Sequence, residues 1–333
     1  MFKTKFPFFD FFYQIMSVLL NSIKLERIQV YPDYELDNNY EGYLRKFDSR
    51  LIEQAFNGNI QGFLNTFAKA QCPLFEKSLT IFWGGIRFTM TVPKPIVAEN
   101  IEAKFGISAV ARHFSWSNFL SIFAAVLQER RIIFVNKSRE LLSKTILFFT
   151  NIIKPFLWHF PVIYFLDRSN FELLDSIVPL IVGVDLTKKK FRSSFNLSKI
   201  SNTYLTYFIE DDSLEMIGEK LELPSFGGSL DKIERRYKKI QKSFSTTTDL
   251  SANREALLLD FLLKTKNLIE TTCTDPLKNP AVLNKSFEEI KVILKKKSSQ
   301  DEKFLEKLCA TQSFSFYLDR AREEILPGSE NHL

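Results

Sequence analysis

The chain reads as an α/β protein: a three-layer, mainly parallel sheet core with helices on both faces, followed by a small all-helical region. Three observations predict this. Residues 114–135, FSWSNFLSIFAAVLQERRIIFV, carry an apolar helical pattern without Gly or Pro into Glu129-Arg130-Arg131 and then four strand formers. A helix apolar on all sides that feeds a strand apolar on both faces is what a layered sheet core requires. Helix and strand patterns then alternate with short connections, and beyond Leu223-Pro224 only helical patterns follow.

In chain order, residues 7–23 read as a helix with Pro7 in its first turn, residues 29–39 as a polar linker and residues 50–70 as a mixed helical stretch. Residues 78–92 predict a hairpin, SLTIFW and IRFTMTV around Gly84-Gly85. Ser115 is placed to cap a helix over 116–128. A helix over 141–153, a strand over 161–166, a short helix over 171–177 and a strand over 180–184 follow. A further strand, 204–209, stops at Glu210-Asp211-Asp212. Strands joined through helices imply parallel pairing with right-handed crossovers. The closing helical patterns cover 230–244, 254–269, 286–296 and 303–322.

Composition narrows the function classes. At 333 residues the chain can bury two or three cores, and 45% apolar with 25% charged residues is ordinary for a globular protein. The net charge of +6 is spread along the chain without a basic stripe interleaved with aromatics, so no nucleic-acid partner is expected. Cys72, Cys273 and Cys309 lie in no metal-ligand spacing and fit a reducing compartment. The apolar run near the N-terminus is interrupted by Asp10, with no cleavage site after it, which argues against a signal peptide. Residues 145–166 are long enough to span a bilayer, but Lys154, Pro155, His159 and Pro161 fall in the middle. They read as a buried helix, a turn and a strand.

A nucleotide-binding α/β enzyme needs a Gly-rich turn between strand and helix. The turns here, NKSRELL after Val135 and DLTKKKF after Val184, have no Gly, so no cofactor is expected. Glu129, Arg130 and Arg131 read first as local ion pairs or cover for a helix end, with direct contact to a partner as the alternative. Trp116 and Trp158 read as core aromatics, and His159 as a satisfied buried histidine. Glu210, Asp211 and Asp212 read as a solvated strand end rather than a metal site. Lys188 to Lys190 and Lys295 to Lys297 read as exposed loop lysines, with contact to an anionic membrane as the alternative.

Three stretches together resemble the DENN family. LQERRIIFV, after FSWSNFLSIFAAV, looks like the helix-to-strand passage of the central DENN core. KPFLWHFPVIYFL and FELLDSIVPLIVGVD look like that core's next pieces, ending in a P-x-x-x-G-V step at Val184. FLEKLCATQSFSFYLDRA resembles the closing helix of the downstream DENN region, with its Thr-Gln-x-Phe step at Thr311, Gln312 and Phe314. The resemblance implies a remnant of the upstream lobe and linker over 1–48, with most of that lobe missing and residues 7–20 standing for its last helix. It implies a central core over 49–222, a downstream helical region over 223–326 and a tail over 327–333. It also implies guanine-nucleotide exchange on a Rab-family small GTPase in vesicle trafficking, with no covalent chemistry, in a cytoplasmic protein recruited peripherally to vesicle or endosomal membranes. The alternative is a non-catalytic DENN scaffold that binds a GTPase or a longin-type partner. Ligands of open α/β sheets sit beyond strand ends, which puts expected GTPase contacts at Asp185 and Asp211; Arg130 and Arg131, at the helix-to-strand junction, are the other contact candidates.

Overall fold

A computed structural model describes residues 15–16, 69, 77–83, 86–91, 101–194, 204–245, 251–297 and 299–325. The expected helix over 7–23 (apart from Ile15 and Met16), the linker over 29–39 and the stretch over 50–70 (apart from Lys69) lie outside the described residues. Contacts divide the chain into two units, 1–101 and 102–333.

In the first unit, β1 (Ser78–Trp83) and β2 (Ile86–Thr91) form the expected antiparallel hairpin, with Trp83 opposite Ile86. Period-two alternation sorts its side chains. Ser78 pairs its hydroxyl with Thr91, and Thr80 with Thr89, on one face. Leu79, Ile81, Phe88 and Met90 occupy the other.

The second unit is built on a five-stranded sheet in the order β4-β5-β3-β6-β7. β3 (Arg131–Val135), β4 (Val162–Ile163), β5 (Ile181–Val184) and β6 (Tyr204–Phe208) are parallel, and β7 (Ser213–Ile217) runs antiparallel to β6. Every residue of β3, β5 and β6 is buried. Alternation divides them between two clusters. Ile132, Phe134, Ile181, Leu205 and Tyr207 enter a large core, and Ile133, Val135, Val182, Val184, Tyr204 and Phe208 a smaller one on the opposite face.

The large core is filled by helices. α1 (Ile101–His113), α2 (Trp116–Leu127) and α3 (Arg139–Ile152) contribute Val110, Phe119, Phe123, Phe148 and Phe149. Aromatic rings crowd this core: Phe114 stacks on Tyr207 at 4.3 Å between ring centres, and Phe134 lies 5.8 Å from Phe149. Tilted and stacked aromatic pairs hold such a core beyond the area they bury. Ser115 caps α2 by accepting from the Asn118 amide, and Ser138 caps α3 by accepting from Leu141. α1 reaches α3 closely at Gly106, where a Cβ would lie 2.2 Å from the Lys144 carbonyl oxygen and 2.6 Å from the Phe148 Cβ. The smaller core is closed by the 3₁₀ segment Arg168–Asp175, through Leu174 and Phe171, and by α4 (Lys188–Ser194), through Phe191.

The later helices are α5 (Leu230–Ser245), α6 (Ser251–Ile269), α7 (Pro280–Leu283), α8 (Phe287–Lys297), α9 (Glu302–Cys309) and α10 (Gln312–Ile325). α5 is tied to the α1–α2 junction by the Tyr237 hydroxyl, which donates toward the Val110 and Phe114 carbonyls, and by Gln241, which donates to Phe114. Buried Asp301 accepts from the Ser225 and Phe226 amides and fixes the entry to the helical stretch.

The structure corrects several expectations. The strand expected over 161–166 is regular only at Val162 and Ile163, although the Pro161 carbonyl still accepts from the Ile181 amide and the Leu166 amide donates to the Gly183 carbonyl. The helix expected over 171–177 is the 3₁₀ segment already named. The pattern over 303–322 breaks into α9 and α10 at Ala310-Thr311, where the Thr311 hydroxyl accepts from the Phe314 amide and starts a new helix. α1 and β7 have no counterpart in the expected elements. Lys188 to Lys190 and Lys295 to Lys297 lie in helices α4 and α8 rather than in loops.

Candidate functional site

The parallel strands end together. Val135 is opposite both Val184 and Phe208, so Asn136, Asp185 and Ile209 leave the sheet along one carboxyl edge. Two of the expected contact residues stand there. Asp185, immediately after β5, accepts from Arg139 Nε at 2.7 Å at the start of α3, and the Arg139 guanidinium also lies over the Phe165 ring. Asp211 ends the 3₁₀ turn Ile209–Asp211 after β6 and pairs with Lys188 Nζ at 3.2 Å. Lys188 is held in turn by the Ser213 hydroxyl and the Phe208 ring face. Asp185 is 30% exposed and Asp211 48%, so both carboxylates reach solvent. Exposed ion pairs of this kind contribute about 1 kcal/mol or less, and a partner can exchange into them at small cost.

Arg130 and Arg131 stand at the opposite, amino edge. Arg131 opens β3 opposite Tyr204, about 13 Å from the carboxyl edge over four strand steps. Arg131 is 5% exposed, donates to the Ser176 carbonyl, and has no face for a partner. Burial raises the pKa of its neighbour Tyr204 to about 12, Glu215 adding to the rise and Arg131 opposing it. Arg130 pairs with Glu219 at 3.0 Å, and Glu219 also receives Lys307 of α9. Hydrogen bonds from Lys307 and Arg130 hold the Glu219 carboxyl below the ordinary carboxylate pKa. The four expected contact residues therefore form two sets on opposite edges, one half-exposed and one built into the scaffold.

Glu129 takes the helix-end role. Its backbone is left-handed (φ 51), which turns the chain sharply between α2 and β3. Its carboxylate accepts from the Gln312 amide at 2.8 Å, the Ser313 amide at 2.7 Å and the Ser313 hydroxyl at 2.6 Å. These are the orphan donors at the start of α10, which a negative group satisfies and complements.

The acidic corner departs from the sequence reading. Asp212 is no solvated strand end. Its carboxylate accepts from the Ser115 amide with both oxygens at 3.1 Å, from Asn118 Nδ2 at 2.9 Å and from the Tyr207 hydroxyl. Burial opposes its ionisation, but the hydrogen bonds from Asn118, Tyr207 and Ser115 outweigh that and bring its pKa below the ordinary value. Burial, reinforced by the bond to Asp212, drives the Tyr207 pKa far up, so its hydroxyl remains a donor. The enabling feature is the left-handed backbone of Asp212 (φ 45), which turns its side chain back toward the α1–α2 junction. Nothing in the residue order announces that. His159 is also corrected: it is exposed and lies against Phe316, ring centres 4.3 Å apart. Trp116 packs as expected, stacked on Phe119.

Among the described residues no group of three His, Cys, Asp or Glu is placed to hold a metal ion, and no helix is long and apolar enough to cross a membrane. What the arrangement offers is a rigid strand edge presenting paired charges, suited to docking a protein surface. No curated protein matches the chain. The family model of the DENN (AEX-3) domain matches residues 4–201, more than half of the 333. The helix-to-strand passage at Glu129 and strands β3 to β5, with the P-x-x-x-G-V step, lie within the matched residues, and the chain belongs to the DENN domain family.

Proposed function

We propose that this protein is a guanine-nucleotide exchange factor for a Rab-family small GTPase, acting in vesicle traffic from the cytoplasm after peripheral recruitment to vesicle or endosomal membranes. The observation that carries the reading is the carboxyl edge of the sheet. Asp185 and Asp211 stand half-exposed on strand ends of a chain from the DENN family, paired with the exposed Arg139 and the half-buried Lys188. In this reading the 49–222 segment is a three-layer core that meets the GTPase, the 223–326 segment is a helical brace, and residues 1–48 belong to an upstream lobe. Arg130 and Arg131 support the core from behind.

Exchange of this kind forms and breaks no covalent bond. The factor binds the switch segments in the form that has released nucleotide and magnesium. By linkage, whatever favours that form weakens nucleotide binding by the same factor. Each tenfold of weakening requires about 1.4 kcal/mol of differential binding, which a protein contact surface supplies without any catalytic group. Release of labelled GDP from a panel of Rab proteins tests the proposal: acceleration for at least one member supports it. A second reading, a DENN scaffold that binds without exchange, draws on both edge carboxylates already being paired. Retained Rab binding with no acceleration would select it.

A further inference from the structure

We propose that the outward face of α5 is a docking surface for anionic lipid headgroups. α5 is sharply divided. Ile233, Tyr237 and Ile240 are buried in the large core, while Lys232, Arg235, Lys239 and Lys242 are all exposed. Their spacing of three, four and three residues places them in one stripe along the helix, about 15 Å long.

The stripe differs from the ordinary solvated helix faces of this chain. On neighbouring helices lysines are interleaved with acids: Lys264 and Lys266 of α6 pair with Asp260 and Glu270, and Lys291 and Lys295 of α8 with Glu288 and Glu306. The exposed Lys189 and Lys190 of α4 also show no ion pair among the described residues, but they are only two. On α5, Lys238 and Arg236 at the flanks are paired in the same way, with Glu234 and Asp260. None of the four stripe residues has an ion-pair partner among the described residues, and Arg235 donates only to the Asp231 carbonyl. Asp231 is the exposed acid beside them. The four residues form three successive like-charged pairs at helical contact spacing, and each pair repels. The helix gives up stability to carry them.

The composition of the stripe selects the occupant. Protein interfaces are anchored by buried aromatic or apolar side chains, and single-stranded nucleic acid by stacking aromatics. This face has neither. Flexible lysine stems with point charges fit a diffuse, laterally mobile anionic surface, for which each basic residue adds a roughly equal increment. The inference is independent of exchange activity, because its assay contains no GTPase.

The test is flotation of the full chain with phosphatidylcholine vesicles, with and without about 30% phosphatidylserine. The wild type is compared with K232Q/R235Q/K239Q/K242Q and with K189Q/K190Q on α4 as a control for exposed lysines. The wild type is expected to float with anionic vesicles alone and to be released by salt. With about fivefold per charge, the α5 variant should bind on the order of several hundredfold more weakly, and the α4 variant much as the wild type does. The thermal midpoint of the α5 variant should hold or rise, since repulsion is removed and Gln is as good a helix former. The proposal is overturned if the wild type ignores anionic vesicles, if the α5 variant still floats, or if the α4 control loses binding equally. A fall in the midpoint contradicts the repulsion argument. Displacement of the protein from vesicles by polyglutamate at equal charge would reassign the stripe to an acidic protein.

Discussion

Glu129 and Ser313 are 184 residues apart in sequence and joined by two hydrogen bonds, from the Ser313 amide and from its hydroxyl to one carboxylate oxygen. The Leu157 carbonyl oxygen lies within reach of the same hydroxyl, whose one proton the two acceptors share. The two residues lie in the motifs that gave the chain its family resemblance, the Glu-Arg-Arg junction and the Thr-Gln-x-Phe step. Their shared role is architectural: the first closes the start of the helix that the second opens.

Removing that carboxylate should therefore destabilise the helical end of the unit. Glu129→Ala is expected to cost about 2 kcal/mol, the range for a lost charged cap. Glu129→Gln keeps an acceptor oxygen and should cost about half as much. Urea unfolding of both variants checks this, and an unchanged midpoint for the alanine variant would contradict the assigned role.

Asp212 makes stability depend on acid pH. Its folded pKa lies below the ordinary carboxylate value. Its contribution is present above about pH 3.9, the unfolded value, and is lost as pH falls through the folded pKa. Asp212→Asn should lower the thermal midpoint at neutral pH, and the gap from the wild type should close in acid below that value. Calorimetry from pH 7 to pH 3 measures it; a gap constant across the range would show that ionisation of Asp212 is not what holds the α1–α2 junction.

Gly183 explains the glycine of the P-x-x-x-G-V step. A Cβ there would sit 2.3 Å from the backbone carbonyl oxygen of Tyr164 and 3.1 Å from the Ile146 Cδ1. The first neighbour is backbone and cannot swing aside. Gly183→Ala should destabilise by about 2 kcal/mol, as overpacking does, read from the denaturation midpoint. A neutral substitution would mean that the segment after β4 shifts freely.

The edge carboxylates should matter for partners and little for folding. Asp185→Ala with Asp211→Ala is expected to weaken Rab association about tenfold, with a reduced dependence on salt. The unfolding midpoint should stay nearly constant, because each pair keeps one exposed member and such surface pairs contribute about 1 kcal/mol or less. Surface-bound Rab titrations separate the two effects. Equal loss of binding and stability would remove these residues from the contact surface.

Much of the sheet was legible because burial on both faces writes itself as continuous apolar runs, as in Ile132 to Val135 and Leu180 to Val184. α2 was legible from Ser115 and an unbroken apolar pattern. β7, SLEMI, was missed because an edge strand is only partly buried and its pattern is half polar. The split between α9 and α10 was missed because Thr311 interrupts a pattern whose apolar spacing continues across it. Asp212 was misread for a deeper reason. Apart from Tyr207, its partners Asn118 and Ser115 lie 94 and 97 residues back, at the start of α2, and a left-handed backbone aims it at them. The edge positions of Asp185 and Asp211 followed from the strand-end rule, whereas the rule gave no sign that Arg130 and Arg131 sit on the far edge.

The central claim is that this strand edge drives nucleotide release. Its most direct test is the rate of labelled GDP dissociation from individual Rab proteins with the full chain, with and without Asp185→Ala and Asp211→Ala. The account predicts acceleration for at least one Rab, diminished in the double variant at unchanged fold. No acceleration across the panel by folded protein, with Rab binding intact, would contradict it.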